Sequence, residues 1–293
     1  CAVVPLAQAR AYPFATTRQL IASVSGLQNV EMDEIKLGIM GAKRHPDTYL
    51  QNTRFDYPLQ LAINHTVWVE NSVISPRWQL ACEHVLTGVP ENDWDLRLER
   101  GVCLDFVPVG AREFAVRMYG MDDVFAGTID DPGTRWLGSP VSEWFKRRGF
   151  TAASAGVHGH LDLADAPLFP VLQAERLDPR FLEWLFAARP APSEEFVRQY
   201  RAARRVAGRK LSGLANVKRW QAQRERLRTE CLLPMLRNFR YSVFFKLDLE
   251  STARIFAGTP LALPPHKPVC DGGLEPLQEV HDQMFRAAVQ RHR

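Results

Sequence analysis

Three groups of side chains in this 293-residue sequence have types and spacings that could do chemistry. The first is Asn92-Asp93-Trp94-Asp95, just after the turn Gly88-Val89-Pro90. An amide and carboxylates can hydrogen-bond hydroxyls, and an indole can stack on the apolar face of a sugar, so these four residues are candidates for substrate binding. The same residue types also suit an Asx-rich turn with Trp94 packed as core. The second group is His158-Gly159-His160-Leu161-Asp162. In a strand, the period of two would put His158, His160 and Asp162 on one face, as metal ligands require. In a solvated loop, which Ala155-Gly156 and Gly159 favour, they would do nothing of the kind. No further ligand set follows, and no metal site is assigned.

The third group is a basic run. Between Arg198 and Arg240 there are thirteen Lys/Arg and two acids, against 24 basic and 31 acidic residues in the rest of the chain. A run of this kind can bind nucleic acid or serve as a scaffold module. It can equally be a solvated helix surface complementing an acidic body. Its aromatics, Tyr200, Trp220 and Phe239, are few. The chain has no G-x-x-x-x-G-K-[ST], no G-x-G-x-x-G and no G-x-S-x-G, so no phosphate loop or nucleophile elbow is available. No catalytic residue is assigned. His65 and His84 would suit a hexad-repeat acyltransferase, although such enzymes need a longer run of hexads.

These groups must be positioned by two textures of chain. From about 46 to 110 an aliphatic beat of six residues recurs. One column holds Phe55, Leu61, Val67, Val73 and Val85, and the next holds Leu50, Ala62, Trp68, Ile74, Leu80 and Leu86. Hexads of this kind suit a β-helix, in which each short strand points one aliphatic residue into a narrow prism. An ordinary meander of short strands also accommodates them. The second column is broken at Asp56 and the first at Gln79. Residues 111–135 read as a turn-rich strand region.

Helices follow. Thr17–Ile21 can start one early in the chain, with Ser25-Gly26 as a breaker. Ser139-Pro140 reads as an N-cap and first helical residue, and Gly149 as the stop. Asp178-Pro179 and Ser193 with Glu194 and Glu195 are further starts. A longer helix is expected over about 214–238, kinked or ended by Pro234. Helices are also expected over 243–256 and 274–292, with a proline-rich linker at 259–268. Strands followed by helices point to an α+β chain rather than a doubly wound sheet.

The composition, 46% hydrophobic and 24% charged, is that of a globular protein and excludes a mostly disordered chain. No apolar run is long enough to span a membrane. Five scattered cysteines without a C-x-x-C pair argue against a disulfide framework or a zinc cage, and reduced thiols in cytoplasm are the expectation. A chain that begins at Cys1 and stops within a helical pattern is expected to be a fragment.

Several strings resemble the bifunctional L-fucokinase / GDP-fucose pyrophosphorylase (L-fucose-1-phosphate guanylyltransferase) family. They are Thr16–Ile21 with Leu27-Gln28-Asn29, Trp68–Ser72, Thr87–Trp94, and Tyr119-Gly120 with Asp122 and Asp123. Further on come Pro140–Gly149, Leu168–Val171, Ala215-Asn216 with Gln223-Arg224, and Ser242–Leu249, all in the family's order. The resemblance implies a nucleotidyltransferase core, a β-helix with a helical connector, and a sugar kinase in tandem. The whole protein would make L-fucose 1-phosphate from ATP and join it to GTP, with Mg²⁺ stabilising the developing charge.

Both phosphate loops are absent here, so the match implies a middle segment that is inactive alone. Mg²⁺ and GTP/ATP would belong to the parent enzyme, and none would bind this segment by itself. The expected layout is the end of the nucleotidyltransferase core at 1–45, a short left-handed parallel β-helix at 46–135 and an α-helical connector at 136–293. The expected partners are an upstream nucleotidyltransferase core, a downstream kinase module and a sugar phosphate. Membrane and nucleic acid are not expected as partners, and a homo-oligomer is compatible with the sequence.

Overall fold

In the computed structural model, the described residues are 11–31, 48–55 and 66–239. The expected helices at 243–256 and 274–292, the linker between them, and His65 lie outside them. The described chain is a mixed α/β structure with a seven-stranded sheet and six helices.

Helix α1 (Thr17–Glu31) comes first, and then strands β1 (Thr48–Gln51), β2 (Arg54–Phe55), β3 (Val67–Glu70), β4 (Val73–Ile74), β5 (Gln79–Leu80), β6 (His84–Thr87) and β7 (Arg97–Leu98). Strands β8 (Val102–Pro108) and β9 (Glu113–Gly120) form a hairpin, followed by β10 (Arg135–Trp136) and β11 (Ser139–Pro140). The rest mixes helices with two strands: α2 (Val141–Arg147), β12 (Pro167–Gln173), α3 (Pro179–Phe186), α4 (Glu194–Ala202), β13 (Arg205–Ala207), α5 (Leu211–Leu214) and α6 (Val217–Phe239).

The hexads become three sets of parallel pairs. β1, β3, β6 and β8 lie side by side in the large sheet, β2 pairs with β4, and β5 pairs with β7. Partners in these pairs are 17 to 19 residues apart, as in Val67↔His84 and Thr48↔Val67, so each hexad is one third of the spacing.

The departures from 18 matter, because a one-residue change of register turns a side chain to the other face. The interior row is Val69, Leu86 and Leu104, aligned strand to strand, and their partner Leu50 on the edge strand β1 is exposed. The 17-residue step from β3 to β6 puts His84 opposite the buried Val67, and Val85 opposite Trp68 in a separate apolar cluster. The column Val67–Val73–Val85 expected from the sequence, already broken at Gln79, is therefore split between two faces.

Beyond β8 the sheet turns antiparallel, in the order β8-β9-β12-β13. The stretch after 136 is thus not purely helical, because β12 and β13 complete the sheet. Two prolines in Pro167-Leu168-Phe169-Pro170 argue against a central strand. Here they sit at a register irregularity where β12 passes from β9 to β13.

Helices α2, α3 and α4 pack on this part through an aromatic cluster. Trp144 stands 4.7 Å from Trp136 and 5.3 Å from Tyr200, and Phe150 stacks on Trp184 at 6.4 Å. One continuous apolar core joins these rings to the interior row. Asp178 and Ser193 cap α3 and α4 as expected, accepting from Arg180 N and Phe196 N. One expected break fails, since α1 runs through Ser25-Gly26; of the two outcomes expected at Pro234, the helix does not end there, because α6 runs on to Phe239. At Gly26 the missing Cβ makes room for the Tyr12 ring, which an alanine there would meet at 3.1 Å.

Candidate functional site

The turn carrying Asn92–Asp95 is set by Gly88. Its φ is +66°, and a Cβ would lie 2.4 Å from the Phe106 carbonyl oxygen, so only glycine fits. Asn92 then ties the turn together. Its amide nitrogen donates to the Val73 and Pro90 carbonyls, both at 2.9 Å. Its oxygen accepts from the Trp78 indole at 3.0 Å and from Trp94 N at 3.3 Å. Trp94 is buried, stacked on Trp78 at 6.2 Å and tilted against Phe106 at 5.7 Å. Of the four candidates, only Asp93 and Asp95 face solvent.

The neighbouring Glu91 joins the turn to α6. It accepts from Arg54 and from Arg226 (3.0 Å), and both arginines also pair with Glu230, at 3.3 and 3.1 Å. Partial burial pushes the Glu91 carboxyl up, but the hydrogen bonds from Arg54 and Arg226 outweigh it and hold the group below the usual carboxylate range. Gln223 on α6 donates to the Asn71 and Val89 carbonyls at 2.8 and 3.0 Å.

Several cations of the basic run are engaged in the same way. Arg204 pairs with Glu113 at 3.0 Å and Arg209 with Asp165 at 3.1 Å. Arg205 donates to the Tyr200, Pro167 and Ala155 carbonyls. Arg219 donates to the Glu113 carbonyl at 2.7 Å and covers the Phe114 ring at 4.1 Å. These cations fasten α6 and the preceding segment to the sheet.

The histidine pair makes no ligand set. His158 and His160 are exposed and stack on each other at 5.7 Å, in a turn rather than a strand. Asp162 accepts instead from Gly127 N and Ala164 N, at 3.2 and 2.9 Å. Among the described residues no group of three His, Cys, Asp or Glu could hold a metal ion. His84 is buried in the interior with Nδ1 2.9 Å from the Val102 carbonyl oxygen, which is no place for an acyl-transfer base.

Sequence reasoning missed a charged cluster at the other end of the sheet. Arg18 of α1 donates to both oxygens of Glu83 (3.0 and 3.1 Å) and to both of Asp122 (2.7 and 2.9 Å). Arg100 donates to the same Glu83 at 2.9 and 2.8 Å. The hydrogen bonds from Arg100 and then Arg18 pull the Glu83 carboxyl down to about 2. Asp123 beside them accepts from Gly120 N and Leu137 N, and burial raises its pKa. Arg18 and Asp122 each lie in a string singled out above, but 104 residues separate them and no local pattern links the two.

No helix among the described residues is long and apolar enough to cross a membrane. No family model and no solved structure matches this chain. Over 289 residues, 98% of its length, it is 34% identical to the L-fucokinase/L-fucose-1-P guanylyltransferase of Bacteroides fragilis. It spans 30% of that relative's length, and so corresponds to one segment of that bifunctional enzyme.

Proposed function

We propose that the chain is an inner, non-catalytic segment of a fucose-salvage enzyme. The parent would make GDP-L-fucose from L-fucose 1-phosphate and GTP, and would also phosphorylate L-fucose with ATP. The observation that carries this reading is the 34% identity over nearly the whole chain to part of a bifunctional enzyme with those two named activities. The nucleotides and Mg²⁺ belong to an upstream nucleotidyltransferase core and a downstream kinase module, all in the cytoplasm. On this reading the parallel strands within residues 46–135, β1 to β8, form a short left-handed β-helix, and the antiparallel β8–β9 hairpin ends it. The parallel pairs at 17 to 19 residues support it, being the spacing of three hexads per coil. Residues 136–293 are the connector.

The segment's task is then to hold two modules in a fixed relation. Its cations and amides fit that task, since Arg219, Gln223 and Arg226 fasten α6 rigidly to the turns of the sheet. A nucleic-acid-binding module is the weaker reading, because Arg204, Arg205, Arg209, Arg219 and Arg226 are already engaged within the fold.

The test is to incubate the purified chain with L-fucose 1-phosphate, GTP and Mg²⁺ and to measure GDP-L-fucose and pyrophosphate. Background turnover is expected. Robust turnover refutes the non-catalytic role.

A further inference from the structure

We propose that α1 is a strap that lifts off the sheet as a unit while the sheet stays folded, with Arg18 as its latch and the Cys103 thiol as what it covers.

The strap holds itself together. Residues 11–16 run back along α1. Ser23 Oγ donates to the Pro13 carbonyl at 2.7 Å, and the Tyr12 ring lies against Gly26. Gln19 N donates to Thr16 Oγ1, while Gln19 Oε1 accepts from Ala15 N. Each of these contacts joins two parts of the strap, so none is lost when α1 moves together with residues 11–16.

Its hold on the sheet is narrow by comparison. Among the described side chains of α1, Ile21 is the one apolar residue that is buried, whereas Leu20 and Leu27 are exposed. Ile21 enters the small cluster of Val85, Cys103, Tyr119 and Met121, which is separate from the main core. Val85 and Cys103 precede Leu86 and Leu104 of the interior row, so they stand on the opposite face of β6 and β8. Withdrawing Ile21 therefore opens that face and leaves the interior row packed. Local opening of this kind is separate from global unfolding.

The latch is Arg18. It bonds to Glu83, just ahead of β6, and to Asp122, just beyond β9, and its backbone N–H donates to the Met121 carbonyl at 3.1 Å. One residue thus ties the start of α1 to two turns of the sheet. The side chains of Arg18 and Asp122 are 41% and 67% exposed. Ion pairs so open to water are weak, which suits a contact that is made and broken repeatedly. The packing beside them is open too, in a cavity of about 320 Å³ that Arg18, Glu83 and Asp122 help to line.

Cys103 reports the lift. It is buried, and burial pushes its thiol well above the usual range, so it is inert while α1 lies over it.

The proposal stands on these contacts and not on the parentage proposed above. The experiment is labelling of the 293-residue chain with iodoacetamide at urea concentrations below the unfolding transition, read at Cys103 by peptide mass spectrometry. Cys82, partly exposed, is the internal reference. The variants are Arg18→Met and Asn92→Ala. The second loosens a turn whose bonds reach Val73, Pro90, Trp78 and Trp94 and no residue of α1. In the unaltered chain Cys103 is expected to label with a urea dependence much shallower than that of global unfolding. Labelling should be about threefold to tenfold faster in Arg18→Met and unchanged in Asn92→Ala. The proposal is overturned if Cys103 in the unaltered chain labels only with the steep urea dependence of global unfolding, or not at all before the transition. It is equally overturned if Arg18→Met labels at the unaltered rate, or if Asn92→Ala speeds labelling as much as Arg18→Met does. Turnover in the assay above would refute the non-catalytic role and leave the strap untouched.

Discussion

Replacing Asn92 with alanine separates the two chemistries its residue type allows, sugar binding and turn closure. The side chain donates twice, to the Val73 and Pro90 carbonyls, and accepts twice, from the Trp78 indole and Trp94 N. Trp78 is 4% exposed, so its N–H loses its partner where water reaches it poorly. An orphaned buried donor costs about 1–3 kcal/mol, and each further lost bond about 1 kcal/mol. Allowing for relaxation of the turn, Asn92→Ala should lose about 3–5 kcal/mol. For a unit of this size that corresponds to a Tm lower by roughly 8–15 °C. Asp93→Ala and Asp95→Ala remove exposed carboxylates and should each stay within about 0.5 kcal/mol. Urea unfolding of the three variants, followed by tryptophan fluorescence, measures the differences. An Asn92→Ala variant within about 1 kcal/mol of the unaltered chain would refute the assignment of Asn92 to turn closure.

Two other predictions concern charged groups. Glu83 is held at about 2 by Arg100 and Arg18, below its ordinary 4.5, so the stability it contributes is complete above about 4.5 and is lost as pH falls from there towards 2. With both arginines partly exposed, screening leaves about 1 kcal/mol, and Arg18→Ala should flatten the stability-against-pH curve in that window; a slope unchanged from the unaltered chain contradicts this. Arg148 is buried, donates to the Trp184, Leu185 and Ala187 carbonyls at the end of α3, and lies 4.2 Å over the Trp144 ring. Arg148→Met strips those carbonyls of their donor and should cost about 3–5 kcal/mol in chemical denaturation, where a loss below 1 kcal/mol would mean that water replaces the guanidinium freely.

What the sequence made legible was whatever is encoded locally. Asp178 and Ser193 announced α3 and α4, because a cap acts within one turn of its own residue. The six-residue beat announced short strands of even spacing. It could not announce their faces, since a 17-residue step and a 19-residue step leave the beat visible while reversing sides. Strand β12 was hidden because its prolines are tolerated only where the pairing partner changes, which is a tertiary fact. Asn92 and Trp94 carried the right chemistry for a sugar and use it on Val73, Pro90 and Trp78. The Arg18–Glu83–Arg100–Asp122 cluster left no signal, because Arg18 reaches Glu83 and Asp122 only after α1 lies across the sheet.

The spacing of the sheet pairs has a consequence for how the chain assembles. Neighbours 17 to 19 residues apart close short loops, so the parallel strands and the β8–β9 hairpin can zip up one after another as they emerge from the ribosome. The bond from Arg226 to Glu91 spans 135 residues, so that part of the sheet must wait, with its turns bare, until α6 has been made. During that interval Glu91 has Arg54 but not Arg226, and the Asn71 and Val89 carbonyls lack the Gln223 amide, so synthesis of α6 is the step that closes these turns.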